Sequence, residues 1–140
     1  MNNYLIKAGT IVNEGKKFVG DVLIVNGRIE KIATSIDLPN GVTEINAEGK
    51  YVLPGCIDDQ VHFREPGLTH KGTIFTESRA AVAGGITSFM EMPNTVPNAL
   101  TQDLLEDKYQ IAAQNALANY SFFMGASNDN LEEVLRTDNS

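Results

Sequence analysis

Cysteine, basic residues and long apolar runs are all scarce in this sequence, and each shortage excludes a class of protein. The single cysteine, Cys56, rules out a disulfide bond within the chain and suits a reducing compartment. The 11 basic residues are outnumbered by 18 acidic ones, giving a formal charge of −7, so we expect no nucleic-acid partner. No apolar run approaches the ~18 residues that span a membrane, and residues 1–4 resemble no signal peptide. These features predict a cytoplasmic protein with no membrane partner.

Short apolar segments separated by turn signals fill residues 1–53. The dipeptide Asn26-Gly27 stands between two such segments, and it is the strongest short-range hairpin signal because both residues accept positive φ. The sequence therefore predicts a small β unit of four to six short strands. We interpret its polar residues, such as Lys7 and Asp21, as facing solvent.

The rhythm changes after Pro54 to an alternation of strands and helices. Strands are predicted at 55–63, 86–92 and 120–124, and helices at 73–83, 101–117 and from Asn130 onward. Strands that alternate with helices indicate a parallel sheet built from βαβ units. We therefore divide the chain into a β unit at residues 1–53 and an α/β part at residues 54–140.

Residues 54–67 carry more polar groups than a buried strand usually holds. Alternate side chains of a strand share a face, which places Asp58, Gln60, His62 and Arg64 together. The opposite face then carries Ile57, Asp59, Val61 and Phe63. A lone strand histidine is more often a hydrogen-bonded core residue than a ligand. A carboxylate, an amide, an imidazole and a guanidinium in one row nevertheless favour a functional site.

A second polar cluster, residues 91–97, follows the next predicted strand. The loops after parallel strands form one face of a barrel, so Arg64 and Asn94 are expected on the same face, one strand apart. A guanidinium can hold a carboxylate through two parallel hydrogen bonds, and an amide adds a neutral donor. Alone, Asn94 between two prolines would be interpreted as a turn residue. Its pairing with Arg64 favours a carboxylate-binding site.

These two stretches resemble known sequences. Residues 54–67 look like the first barrel strand of the cyclic amidohydrolases, and the Arg-Glu-Pro-Gly tail at 64–67 and the Met-Pro-Asn-Thr run at 92–95 resemble the dihydroorotases. The resemblance implies a partial TIM (β/α)8 barrel of about three βα units, preceded by a small β-sandwich-like unit. It also implies reversible hydrolysis of dihydroorotate to N-carbamoyl-aspartate in pyrimidine biosynthesis, by an enzyme of which this chain is an incomplete piece.

The resemblance assigns roles to individual residues. Arg64 and Asn94 correspond to the residues that bind the substrate carboxylate, and His62 corresponds to a zinc ligand. Gln60 replaces the other histidine of the family's pair, which makes that metal position doubtful, and Asp58 could orient a ligand from behind. The family's catalytic aspartate and remaining ligands lie on later strands, so no catalytic residue is assigned here. We expect the 140-residue piece alone to be inactive.

Two other functions remain open at this point. One is a catalytically silent homologue that keeps the fold, which Gln60 would favour. The other is a ring-opening hydrolase of the allantoinase or dihydropyrimidinase type, against which Arg64 and Asn94 argue. A small-molecule substrate is expected in either enzyme. An incomplete barrel leaves strand edges and helix faces uncovered, so we also expect the isolated chain to form homo-oligomers or to aggregate.

Overall fold

The computed structural model describes residues 3–137 as a mixed α/β chain. It contains two compact units, residues 1–54 and residues 55–140. The first unit holds β1 (Tyr4–Asn13), β2 (Lys16–Val25), β3 (Arg28–Ala33), β4 (Thr43–Asn46) and β5 (Tyr51–Val52). The second holds β6 (Cys56–Val61), α1 (Ile74–Ala83), β7 (Ile86–Glu91), α2 (Gln102–Asn115), β8 (Asn119–Phe122) and α3 (Leu131–Leu135). No helix of the described range is long and apolar enough to cross a lipid bilayer.

The first unit is one sheet in the order β3-β2-β1-β4, with β5 also paired to β1. The hairpin predicted at Asn26-Gly27 is confirmed, because β2 and β3 pair antiparallel across it and both turn residues have positive φ, 52° and 76°. The five strands fall within the predicted four to six. The sandwich-like layering stays a prediction, since the strands described at residues 3–54 belong to a single sheet.

Asp21 corrects the sequence interpretation, because its side chain is buried rather than facing solvent. A β-bulge in β1 between Ile6 and Gly9 turns Ala8 to a φ of 57°, and the freed amide of Ala8 donates to Asp21 Oδ1 at 2.8 Å. The amide of Ile36 donates to Oδ2 at 2.8 Å, and Lys7 Nζ lies 3.0 Å from the same oxygen. These contacts lower the pKa of Asp21, and the hydrogen bond from the Ala8 amide has the largest effect. Burial alone would raise this pKa. One carboxylate therefore holds the bulge.

We expect Asp21→Asn to lower the free energy of unfolding of the first unit by about 2–3 kcal/mol at pH 7, because hydrogen bonds to a charged acceptor are lost. A carboxylate with a lowered pKa stabilises above its ordinary value, 3.8 here, and the stabilisation disappears as the pH falls through the folded pKa. The deficit of Asp21→Asn should therefore shrink below pH 3.8. Amide hydrogen exchange across β1 and β2 measures it. Asp37→Asn, which changes an exposed carboxylate of the same unit, is the control. If Asp21→Asn loses as much stability below pH 3.8 as at pH 7, the stabilising role of the Asp21 carboxylate is contradicted.

The second unit contains a parallel sheet in the order β6-β7-β8, as the strand–helix alternation predicts. α1 and α2 connect its strands, and their first turns are capped by the hydroxyls of Thr73 and Thr101. A single apolar cluster fills the space between sheet and helices, with Phe89 at 1% exposure and Ile74 at 0%. The core therefore fixes the ends of β6 and β7, where the polar clusters of the sequence lie.

Candidate active site

The carboxyl ends of β6 and β7 bring two of the predicted site residues into direct contact. The strands run parallel, and the ladder continues past them, since the amide of Met92 donates to the carbonyl of Val61 at 3.0 Å. The ring Nδ1 of His62, just after β6, lies 2.9 Å from Oδ1 of Asn94, just after β7. Because an amide oxygen only accepts, Nδ1 carries the proton and the lone pair of Nε2 stays available. The two stretches therefore form one site.

The strict alternation of side chains expected along residues 58–64 is interrupted by a bulge. Asp58 pairs with Phe89 and Val61 with Glu91, so β6 contains one extra residue at this point. Such a bulge interrupts the alternation of side chains between Asp58 and Val61, so the polar row predicted from Asp58 to Arg64 is not continuous. Within the described residues, Asp58 accepts a hydrogen bond from the amide of Gln60 at 3.2 Å rather than contacting His62.

Arg64 lies past the end of β6 in a left-handed conformation, with a φ of 74°. Its side chain is half-buried, and its guanidinium makes no hydrogen bond or ion pair with any residue between 3 and 137. No hydrogen bond joins its guanidinium to Asn94 within the described residues; the side chain of Asn94 is bonded to His62. The guanidinium thus keeps its five donors available at the same end of the sheet.

Three contacts fix the loop that carries Arg64, and sequence reasoning assigned none of them. The amide of Ile74, at the start of α1, donates to Oε2 of Glu65 at 2.8 Å. The amide of Val96 donates to the carbonyl of Pro66 at 3.2 Å. Gly67 has a φ of 83°, and a Cβ added there would overlap the carbonyl oxygen of Val96. The loops after β6 and β7 are therefore packed against each other and against a helix end.

A buried ion pair, also missed from the sequence, lies next to this loop. Nζ of Lys108 in α2 is 3.2 Å from Oε2 of Glu91 at the end of β7, and both side chains are 1% exposed. Oε1 of Glu91 accepts the amide of Arg64 at 3.0 Å, and Nζ donates to the carbonyl of Met92 at 3.0 Å. Burial raises the pKa of Glu91 and lowers the pKa of Lys108, and their mutual attraction opposes both shifts. The sign of this pair in the sequence was Lys108 itself, which lies on the buried face of α2, three residues after Leu105.

His62 fits a metal ligand by its chemistry. A ligating histidine usually donates its second ring nitrogen to a carbonyl or carboxylate, as Nδ1 does here to Asn94. Gln60 and His70 are exposed. Residues 3–137 contain no group of three or more histidine, cysteine, aspartate or glutamate side chains placed to hold a metal ion. Among the described residues His62 is therefore a candidate metal ligand, and a full set of ligands is not present.

The site is an open surface. Two grooves of the second unit, with volumes of about 460 and 750 Å³, are lined mainly by α2 and its neighbours, and neither includes His62, Arg64 or Asn94. Within the described residues these three side chains provide one wall of the candidate site. That wall offers an imidazole nitrogen, a guanidinium and an amide.

Comparison with known proteins places these residues in a family. Residues 49–134 match the family model described as Dihydro-orotase-like. A dihydroorotase from Listeria welshimeri is 45% identical over 104 residues, covering 74% of this chain and 24% of the relative. A dihydroorotase from Trichlorobacter lovleyi is 37% identical over 138 residues, covering 94% of this chain and 32% of the relative.

Solved structures agree at the level of the superfamily. An L-hydantoinase (dihydropyrimidinase) from Arthrobacter aurescens aligns with a TM-score of 0.89 at 29% identity, covering 96% of this chain and 30% of that one. A D-hydantoinase (dihydropyrimidinase) from a Thermus species gives a TM-score of 0.77 at 32% identity, covering 95% and 30%. The chain spans between about a quarter and a third of the length of these relatives. The family match covers 86 of the 140 residues, and the chain belongs to the dihydroorotase-like family of cyclic amidohydrolases.

Proposed function

We propose that this chain is part of a dihydroorotase, which reversibly hydrolyses dihydroorotate to N-carbamoyl-aspartate in cytoplasmic pyrimidine biosynthesis. The observation that carries the proposal is the contact of His62 with Asn94 at 2.9 Å, at the end of the parallel sheet where Arg64 follows β6 with no side-chain partner among the described residues. Both substrates carry a carboxylate outside the bond that reacts. The available guanidinium of Arg64 supports a binding site for that carboxylate.

Each side chain has one role in this proposal. Arg64 holds the substrate carboxylate through its two parallel N–H groups. Asn94 uses its oxygen to orient the His62 ring, and its NH₂ group remains to donate to the same carboxylate. His62 would offer Nε2 to a zinc ion, and Asp58 would stabilise the strand that carries it through its bond to the amide of Gln60. Zinc, when bound, supplies Lewis-acid polarisation of the reacting carbonyl.

The fold expected for the whole enzyme is a TIM barrel, to which residues 55–137 would contribute the first three strands. The parallel order β6-β7-β8 with two connecting helices supports this. Active sites of such barrels lie where the strands end, as His62 and Arg64 do here. The remaining zinc ligands and the catalytic acid–base group are then expected on later strands of a longer chain.

A second candidate is a hydantoinase or dihydropyrimidinase, favoured by the TM-score of 0.89 to the Arthrobacter enzyme. Hydantoinases and dihydroorotases open their rings by similar chemistry, so the proposed carboxylate site of Arg64 and Asn94 is the feature that discriminates between them. The dihydroorotase from Listeria welshimeri is also 45% identical to this chain, against 29% for that hydantoinase. A catalytically silent homologue is the third candidate, and Gln60 is its support.

A substrate panel on the purified full-length protein tests the proposal. The panel contains dihydroorotate, N-carbamoyl-aspartate, a hydantoin and a dihydropyrimidine without a carboxylate. We expect turnover of the first two alone. Turnover of the carboxylate-free rings alone would establish the hydantoinase alternative. No turnover of any member, by protein containing zinc, would establish the silent homologue.

The Gln60 position leads to a prediction about zinc content. A neutral amide oxygen is a weaker zinc ligand than imidazole. We therefore expect the full-length protein to retain one zinc ion firmly and to hold the position nearest Gln60 weakly or not at all. Gln60→His should raise the zinc retained after dialysis, as measured by elemental analysis. Two firmly held zinc ions per unmodified chain would contradict this expectation. The 140-residue chain alone should retain none tightly, because one imidazole cannot replace the three or four ligands zinc requires.

A further inference from the structure

Arg64 has a backbone conformation that its neighbours must hold. A residue with a Cβ in the left-handed region, at a φ of 74°, is less stable there by roughly 1–2 kcal/mol. The amide of Arg64 donates to Oε1 of Glu91 at 3.0 Å. A carboxylate is a stronger acceptor than a neutral oxygen, so this bond is suited to fixing the strained residue.

Glu91 is in turn fixed by Lys108, which reaches it from α2. The two charges are 3.2 Å apart and both side chains are 1% exposed. Nζ of Lys108 also donates to the carbonyl of Met92, two residues before Asn94. The pair is therefore bonded to the backbone of both loops that carry the candidate carboxylate-binding side chains.

We propose that Glu91 and Lys108 are a positioning pair, which holds the backbones of Arg64 and of the Asn94 loop so that their side chains meet a substrate carboxylate in a fixed geometry. This inference rests on the proposed function. The pair is too buried to touch substrate, so it acts through Arg64. A purely structural pair could be exchanged for apolar side chains of similar volume without effect on binding, since such exchanges often leave stability unchanged or raise it.

Two double variants separate positioning from stability. Glu91→Leu with Lys108→Met removes both charges and also the acceptor for the amide of Arg64. Glu91→Gln with Lys108→Met removes both charges and keeps an oxygen that can accept that amide. Both avoid an unpaired buried charge, so both should stay folded. They differ mainly in whether Arg64 has its hydrogen-bond partner.

The readout is the steady-state kinetics of dihydroorotate hydrolysis by the full-length enzyme. For the leucine variant we expect KM to rise about tenfold, the equivalent of one hydrogen bond. Its kcat should stay within about twofold, because binding remote from the reacting bond is lost equally in ground and transition states. The glutamine variant loses only the bond from Lys108 to the Met92 carbonyl, so its KM should rise less than that of the leucine variant. Equal KM values for the two double variants would overturn the proposal.

Two further measurements keep the test decisive. If a double variant fails to fold, Glu91→Asp keeps the charge but shortens its reach to the amide of Arg64, and an unchanged KM there would overturn the inference. If the unmodified enzyme turns over neither dihydroorotate nor N-carbamoyl-aspartate, the proposed function fails. Hydrogen exchange of the Arg64 amide in the two double variants then decides the positioning role by itself. Faster exchange in the leucine variant supports it, and equal exchange refutes it.

Discussion

Arg64→Lys in the full-length enzyme is expected to raise the KM for dihydroorotate and for N-carbamoyl-aspartate by about tenfold to a hundredfold, the range that the loss of one charged hydrogen bond covers. The substitution keeps the positive charge. It removes the planar fork that donates two parallel hydrogen bonds to a carboxylate. The guanidinium has no other partner among residues 3–137, so little else should change when it is replaced.

Arg79→Lys is the matched control for this experiment. Arg79 lies on α1, and its guanidinium donates to the carbonyls of Phe75 and Asn115, away from the candidate site. We expect its KM values to equal those of the unmodified enzyme. Kinetics of Arg64→Lys that are indistinguishable from this control would refute the assignment of Arg64 to the substrate carboxylate.

Lys108→Met alone is expected to lower the free energy of unfolding by about 3–5 kcal/mol at pH 7, because it leaves the carboxylate of Glu91 buried without its cation. Burial already raises the pKa of Glu91, and losing Lys108 removes the attraction that opposes this rise. A carboxylate with a raised pKa destabilises the fold above its ordinary value, 4.5 here, and not below it. The deficit should therefore grow from pH 4.5 upward. Urea denaturation across this range, followed by the tyrosine signal of the second unit, measures it.

Lys71→Met provides the comparison, since Lys71 is exposed just before α1. Its effect should lie within about 0.5 kcal/mol, as for most surface substitutions. A Lys108→Met protein as stable as this control would show that the buried pair contributes nothing to stability at neutral pH. A deficit that is the same at pH 4 and pH 7 would show that the ionised carboxylate of Glu91 is not its cause.

Local signals in the sequence predicted the secondary structure well, because their physical causes lie within a few residues. Asn26-Gly27 determines its turn through backbone conformations that those two residues accept. Thr73 and Thr101 cap α1 and α2 through side chains that reach amides three residues on. Asn130 also stands before a predicted helix, but its side chain acts elsewhere. It precedes α3 without a capping bond and instead donates to the carbonyls of Leu100 and Gly125.

The parts of the site that were not predicted depend on residues far apart in the chain. The bulge in β6 arises from pairing with β7, so the alternation of residues 58–64 could not reveal it. Asp21 is buried because a bulge in another strand frees an amide that needs an acceptor. Lys108 looks like a surface residue until α2 packs on the end of β7. The resemblance named the candidate residues, and the packing determined which of them touch.

The bond between His62 and Asn94 has a consequence for the order in which a longer chain would be assembled. Its partners are 32 residues apart. Within the described residues the supporting contacts of Glu91 and Lys108 extend to the end of β8, where the amide of Phe123 donates to the carbonyl of Glu91 at 3.0 Å. Contacts that close short loops lose little chain entropy, and a growing chain folds its first-made part first. The candidate site of His62 and Asn94 can therefore form on the ribosome once β8 has emerged, before any later strand is synthesised. Later segments would then dock against a surface whose imidazole is already oriented.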